Sequence, residues 1–176
     1  ETIKINTTIT QLDLGMNWIG DDGVKSLAEA LTTNQSVQVL DLGSGSIGDE
    51  GMKMLAQALK VNRTVVQLGL WKNSFEYEGV SFVAEALKFN QTVIKLDLSA
   101  NDIGEEGAKA LGEALMINQS LKQLDVTSGQ IRFKGARLLA EALKVNKTVT
   151  ELILYWNQVP ASLRTEPHTK SRMQFQ

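Results

Sequence analysis

The sequence predicts an α/β solenoid: a curved stack of 28-residue strand–helix units, with a parallel sheet on the concave face and helices on the convex face. Three observations predict it. Leu12, Leu40, Leu68, Leu96, Leu124 and Leu152 recur at a constant spacing of 28, with Leu14, Leu42, Leu70, Leu98, Val126 and Leu154 two residues behind. Within each unit the apolar period changes once. It goes from the alternation of a strand, as in Val39-Leu40-Asp41-Leu42, to the helical spacing of Met52, Leu55, Ala56 and Leu59. Finally, one such unit cannot bury both its strand face and its helix stripe, whereas identical units stacked in register can.

Taken in order, residues 1–9 match the closing part of a unit, because Ile3, Ile5, Asn6, Thr8 and Ile9 align with Leu59, Val61, Asn62, Thr64 and Val65. Full units run over 10–37, 38–65, 66–93, 94–121 and 122–149, and a final partial unit starts at Thr150. Stacked strands lie about 4.8 Å apart, while helices with their side chains are about 10 Å wide. The helix side must therefore splay and the sheet side becomes concave. The pattern stops at Val159-Pro160, so residues 1–159 form the repeat domain and 160–176 a C-terminal tail or cap. Solenoids need polar caps, and neither end shows an obvious one. Two expectations follow: a piece of a longer protein, or self-association through uncapped ends.

Charge placement suits the helices. Asp21-Asp22, Asp49-Glu50, Glu76, Glu78 and Glu105-Glu106 precede helices, and Lys60, Lys88 and Lys144 sit near helix ends, as the dipole of each helix favours. Arg132-Phe133-Lys134 reverses the rule, and the sequence offers no reason.

The run Ile9-x-x-Leu12-x-Leu14-x-x-Asn17-x-Ile19 resembles the leucine-rich-repeat signature. With the 28-residue period and the helix segment Leu27-Ala-Glu-Ala-Leu31, it resembles the ribonuclease-inhibitor-like subclass, and is similar to the repeat arrays of NOD-like receptors. The resemblance spans residues 3–159. It implies a horseshoe whose concave face takes a macromolecular partner. Function varies widely within that fold, across immune sensors, enzyme inhibitors, GTPase-activating proteins and bacterial effectors.

Bulk composition narrows the function. Eighteen basic against 20 acidic side chains give a net charge of −2, which argues against nucleic acid as the partner. No run of 18 apolar residues exists, so no membrane partner is expected, and Glu1 to Thr10 does not read as a signal peptide. The absence of cysteine excludes disulfides and leans towards a reducing, cytoplasmic setting. His168 is the only histidine, and there is neither a P-loop nor a dinucleotide fingerprint. No catalytic residue, metal site, cofactor or enzyme activity is therefore expected.

Four constellations remain. Six N-x-[ST] sequons begin at Asn6, Asn34, Asn62, Asn90, Asn118 and Asn146. Because they fall at one repeated position, they read as turn chemistry, with asparagine in the left-handed conformation that ends a helix, rather than as glycan acceptors. Asn17, Asn73, Asn101 and Asn157 form a second row, which the family resemblance implies bonds turn backbone after each strand. Gly45 and Gly129 interrupt it, and their turns are expected to be looser. Asp13, Asp41, Asp97 and Asp125 lie between core leucines and point to the concave face, with Gly69 and Ile153 as gaps. They read either as solvated repeat positions or as steering charges for a partner. Trp71, Lys72, Tyr155 and Trp156 stand in the columns just after the strands. Exposed aromatics there suit binding anchors; the other reading is packing against loops, or capping by Tyr155 and Trp156. The function expected is a protein-interaction module using the concave face. The alternative is a regulatory or self-assembly segment of a larger receptor-like or effector protein.

Overall fold

A computed structural model of the chain describes residues 2–159, 161–164 and 172–175. In chain order the elements are α1 (Thr2–Ile5), β1 (Gln11–Asp13), α2 (Gly20–Leu31), β2 (Val39–Asp41), α3 (Asp49–Val61), β3 (Gln67–Gly69) and α4 (Tyr77–Phe89). They continue with β4 (Lys95–Asp97), α5 (Gly104–Leu115), β5 (Gln123–Asp125), α6 (Phe133–Val145), β6 (Glu151–Ile153), α7 (Ala161–Arg164) and β7 (Met173–Gln174). The strands form one parallel sheet in sequence order, β1 to β7. Its register is one repeat per strand: Leu12 pairs with Leu40, Leu40 with Leu68, and so on to Leu152. Each core column therefore packs on itself, and Leu40, Leu68, Leu96, Leu124 and Leu152 are all buried, as are Met52, Leu55, Ala56 and Leu59 on the facing helix.

The sequon asparagines hold the connectors together, by a different geometry from the one their sequence suggests. Asn62, Asn90 and Asn146 are extended, with φ between −83° and −65°, not left-handed. Asn62 Nδ2 donates to the carbonyls of Leu31 (2.9 Å) and Asn34 (3.3 Å) in the previous unit. Its Oδ1 accepts from the backbone of Thr64 and Val65. Asn34, Asn90, Asn118 and Asn146 do the same, and all five are at most 2% exposed. A buried amide that satisfies carbonyls in one unit and N–H groups in the next is a rivet between units.

The acids at the helix starts also act between units. Asp21 Oδ1 accepts from Gly48 N (2.7 Å), ahead of α3, and Asp49 Oδ1 accepts from Glu76 N and Gly79 N, at the start of α4. Each acid thus caps the helix after its own. The reversed charge at Arg132 fits this arrangement, because Arg132 shares a surface pocket with Asp102 and Glu105 of the preceding unit.

At the C-terminal end, β7 adds a strand that no periodicity announced. Met173 and Gln174 pair with Leu152 and Ile153, and Met173 and Leu163 are buried on the core. Arg172 donates to the carbonyls of Asn146 (2.8 Å), Val149 (3.3 Å) and Leu143. The carbonyls of Leu143 and Asn146 are those that the asparagine of a following unit would take. A guanidinium from outside the repeat replaces the missing rivet, so the edge of β6 is covered rather than open.

Candidate functional site

The concave face is built from the residues that flank the core leucine of each strand. Asp13, Asp41, Asp97 and Asp125 each turn Oδ1 back to the backbone N–H two residues on, those of Gly15, Gly43, Ser99 and Thr127, at 2.8–2.9 Å. Each carboxylate thereby fixes the turn that follows its strand, a structural duty beside any role in steering. Where aspartate is missing, at Gly69 and Ile153, the residue two positions on is aromatic: Trp71 and Tyr155. The face thus repeats every three units as aspartate, aspartate, aromatic. The same three-unit rhythm recurs in the turns. The N–H groups of Gly45 and Ile47 bond Asn73 Oδ1, and those of Gly129 and Ile131 bond Asn157 Oδ1. This corrects the expectation of loose turns at Gly45 and Gly129: the asparagine of the following unit serves them. A Cβ at Gly129 would lie 2.8 Å from Ile103 Cδ1 and 2.9 Å from the Val126 carbonyl, so close packing explains the glycine.

The two aromatics point apart. Trp71 is half-buried and lies over Gly43, where a Cβ would come within 2.0 Å of the indole, and its Nε1–H donates to Asp41 Oδ1 at 3.1 Å. At the equivalent place beneath Tyr155 stands Thr127, and the Tyr155 hydroxyl instead donates to Gln174 Oε1 at 2.7 Å. Between them the sheet carries a shallow groove of about 280 Å³, lined by Asp41, Gln67, Gly69, Lys95, Asp97 and Asp125 among others. Burial pushes the Asp97 carboxyl above its ordinary pKa, against the bonds from Ser99, and the neighbouring carboxylates of Asp125 and Asp41 push the same way.

The predicted residues thus divide. Asp41, Asp97 and Asp125 line one groove, with Trp71 bonded to Asp41 at its margin. Asp13 lies on the exposed first strand and does not line it. Lys72 and Trp156 belong to another column, Met16, Ser44, Lys72, Ala100, Ser128 and Trp156, every member of which is left-handed with φ of 50–60°. Trp156 is 73% exposed. Gln67, Lys95 and Gln123 were missed, although the alternation that turns aspartate outward turns these residues outward too. Among the described residues, no cluster of three or more His, Cys, Asp or Glu could hold a metal ion. No helix among them is long and apolar enough to cross a membrane.

A model of the leucine-rich repeat matches residues 6–28, 33–56, 89–112 and 118–140, together more than half of the chain. No curated protein matches. Among solved structures, leiomodin-1 actin-binding site 2 is similar, with 21% identity over 81% of this chain and 86% of that one, at a TM-score of 0.68. The tropomodulin C-terminal domain of Caenorhabditis elegans is similar too, with 15% identity over 82% and 89% and a TM-score of 0.69. At such identities the likeness is one of fold. Repeat period, strand register and family match agree, and the chain belongs to the leucine-rich-repeat family.

Proposed function

We propose that the chain is a protein-interaction module, without enzymatic activity, that binds a protein partner on its concave sheet face in the cytoplasm. The observation that carries this is the break in the concave pattern at Gly69 and Trp71. The core columns hold their apolar character from unit to unit, while the outward columns change residue and open a groove beside an aromatic wall. That leiomodin-1 uses a domain of similar fold as an actin-binding site supports a protein as the class of partner. The NOD-like-receptor and ribonuclease-inhibitor-like likenesses rest on the repeat signature and point the same way. The alternative, a regulatory or self-assembly segment, relied in part on an open last strand, and β7 takes that edge.

The cytoplasmic setting is supported by the sequons. A glycan on Nδ2 of Asn34, Asn62, Asn90, Asn118 or Asn146 would remove the bonds that rivet the units, at a buried position. Photo-crosslinking tests the binding face. A photoreactive residue at position 95, on the sheet, should trap a protein from cell extract that one at position 109, on the helix face, does not. Trapping from position 109 alone would contradict the proposal.

A further inference from the structure

The rim where the helices end has a charge pattern of its own. The connectors 4–10, 32–38, 60–66, 88–94, 116–122 and 144–150 contain no acidic residue, yet carry Lys60, Arg63, Lys88, Lys122, Lys144 and Lys147 as well as Lys4. One repeat column there holds Val61, Phe89, Ile117 and Val145, each more than half exposed. Since successive units stack in one register, these four side chains form a row along the rim, with cations beside it. Lys60 lies over the Phe89 ring, 5.3 Å from its centre.

Helix dipoles explain part of the charge. The C-termini of α2 to α6 all face this rim and favour cations there, and Lys88 and Lys144 are paired one turn back with Glu85 and Glu141 at 2.8 Å. Lys147 Nζ also donates to the Lys144 carbonyl at 2.6 Å and Arg63 Nη1 to the Asn62 carbonyl at 3.0 Å, so both serve helix ends as well. Helix ends explain neither Lys122 nor the row of exposed apolar side chains. Among the described residues no ion pair engages Lys60, Arg63, Lys122 or Lys147.

We propose that this rim docks on an anionic lipid bilayer, with Val61, Phe89, Ile117 and Val145 entering the headgroup region and the connector cations facing lipid phosphates and carboxylates. Apolar side chains projecting singly from a ridge, one per unit, suit a deformable surface; a protein hot spot instead needs a pocket that encloses each anchor. Basic charge beside exposed apolar groups is what interfacial binding requires. The net charge of −2 does not oppose it. Of the acids in the last helical turns, Glu29, Glu85, Glu113 and Glu141, two are taken up by Lys88 and Lys144. The paired acids of the helix starts lie at the other ends of helices of 12 or 13 residues, about 18 Å away, beyond two screening lengths of about 8 Å at physiological salt. The sequence-based expectation of no membrane partner rested on the absence of an apolar run long enough to cross a bilayer, and the proposal departs from it.

The test is co-sedimentation of the full chain with phosphatidylcholine vesicles, with and without 30 mol% (about one lipid in three) phosphatidylserine. Binding should require the anionic lipid and fall as salt rises. Lys60→Glu with Arg63→Glu and Lys147→Glu should weaken it by about a hundredfold or more. Phe89→Ser with Ile117→Ser, which leaves every charge in place, should weaken it about tenfold. Circular dichroism and the thermal midpoint establish that each variant is folded. No preference for anionic vesicles, or equal binding by both folded variants, overturns the proposal. So does salt-sensitive self-association, or capture of a polyglutamate peptide in place of vesicles, since a second copy or an acidic protein would then occupy the rim.

Discussion

Gly43 shows how much one residue can decide on the concave face. It has no left-handed angle to justify it, and its purpose is room for the indole of Trp71. Gly43→Ala should displace Trp71, break its bond to Asp41 and destabilise the chain by about 1–3 kcal/mol; a red shift of tryptophan fluorescence and a lower denaturation midpoint check this. Asp97 is the complementary case. Its folded pKa is raised, so its favourable contribution is present below its unfolded pKa and is lost as pH rises through the folded value. Asp97→Asn retains an acceptor for Ser99 N–H and should raise stability at pH near 7, with the difference shrinking as pH falls through the raised folded value and largely gone below about pH 4. Thermal melts across that range check the sign.

At the scale of elements, stability resides between units rather than within them. Asn118→Ala would strand the carbonyls of Leu87 and Asn90 and the N–H groups of Ser120 and Leu121 in a buried place. A loss of about 3–5 kcal/mol is expected in chemical denaturation. Arg172→Ala should act locally: amide exchange should quicken in β6 and the end of α6 while β3 and β4 stay protected. The Gly45 and Ile47 amides, held by Asn73, should exchange no faster than their counterparts in other units. Much of this layer was legible. Leucine spacing alone yields the strands, their register and the helices, because stacking forces each column to match itself. The asparagine rows announced their importance but not their geometry: a rivet between units and a left-handed cap within one leave the same residue at the same spacing. The β7 strand and Arg172 left no trace, since a residue that substitutes once for a repeated one has no period.

For the whole molecule, the seven-stranded sheet and the in-register stack give four distinct surfaces: the concave face, the convex helix face, a rim of helix starts that is acidic except at α6, and a basic, apolar rim of helix ends. The total charge of −2 conceals this separation, and only the arrangement of units reveals it. The concave site was half legible. Alternation turned the aspartates and Trp71 outward, but the opposite directions of Trp71 and Tyr155 depend on Gly43 against Thr127 and on a Gln174 far along the chain. Two tryptophans separate recognition by the concave face from recognition elsewhere. Trp18 is 84% exposed and stands beyond the sheet, whereas Trp71 is half-buried beside the groove. With the partner trapped at position 95, Trp71→Ala should weaken binding by about 2 kcal/mol or more, roughly thirtyfold, and Trp18→Ala should leave it unchanged. Loss of affinity with Trp18→Ala and none with Trp71→Ala would contradict the concave face as the site of recognition.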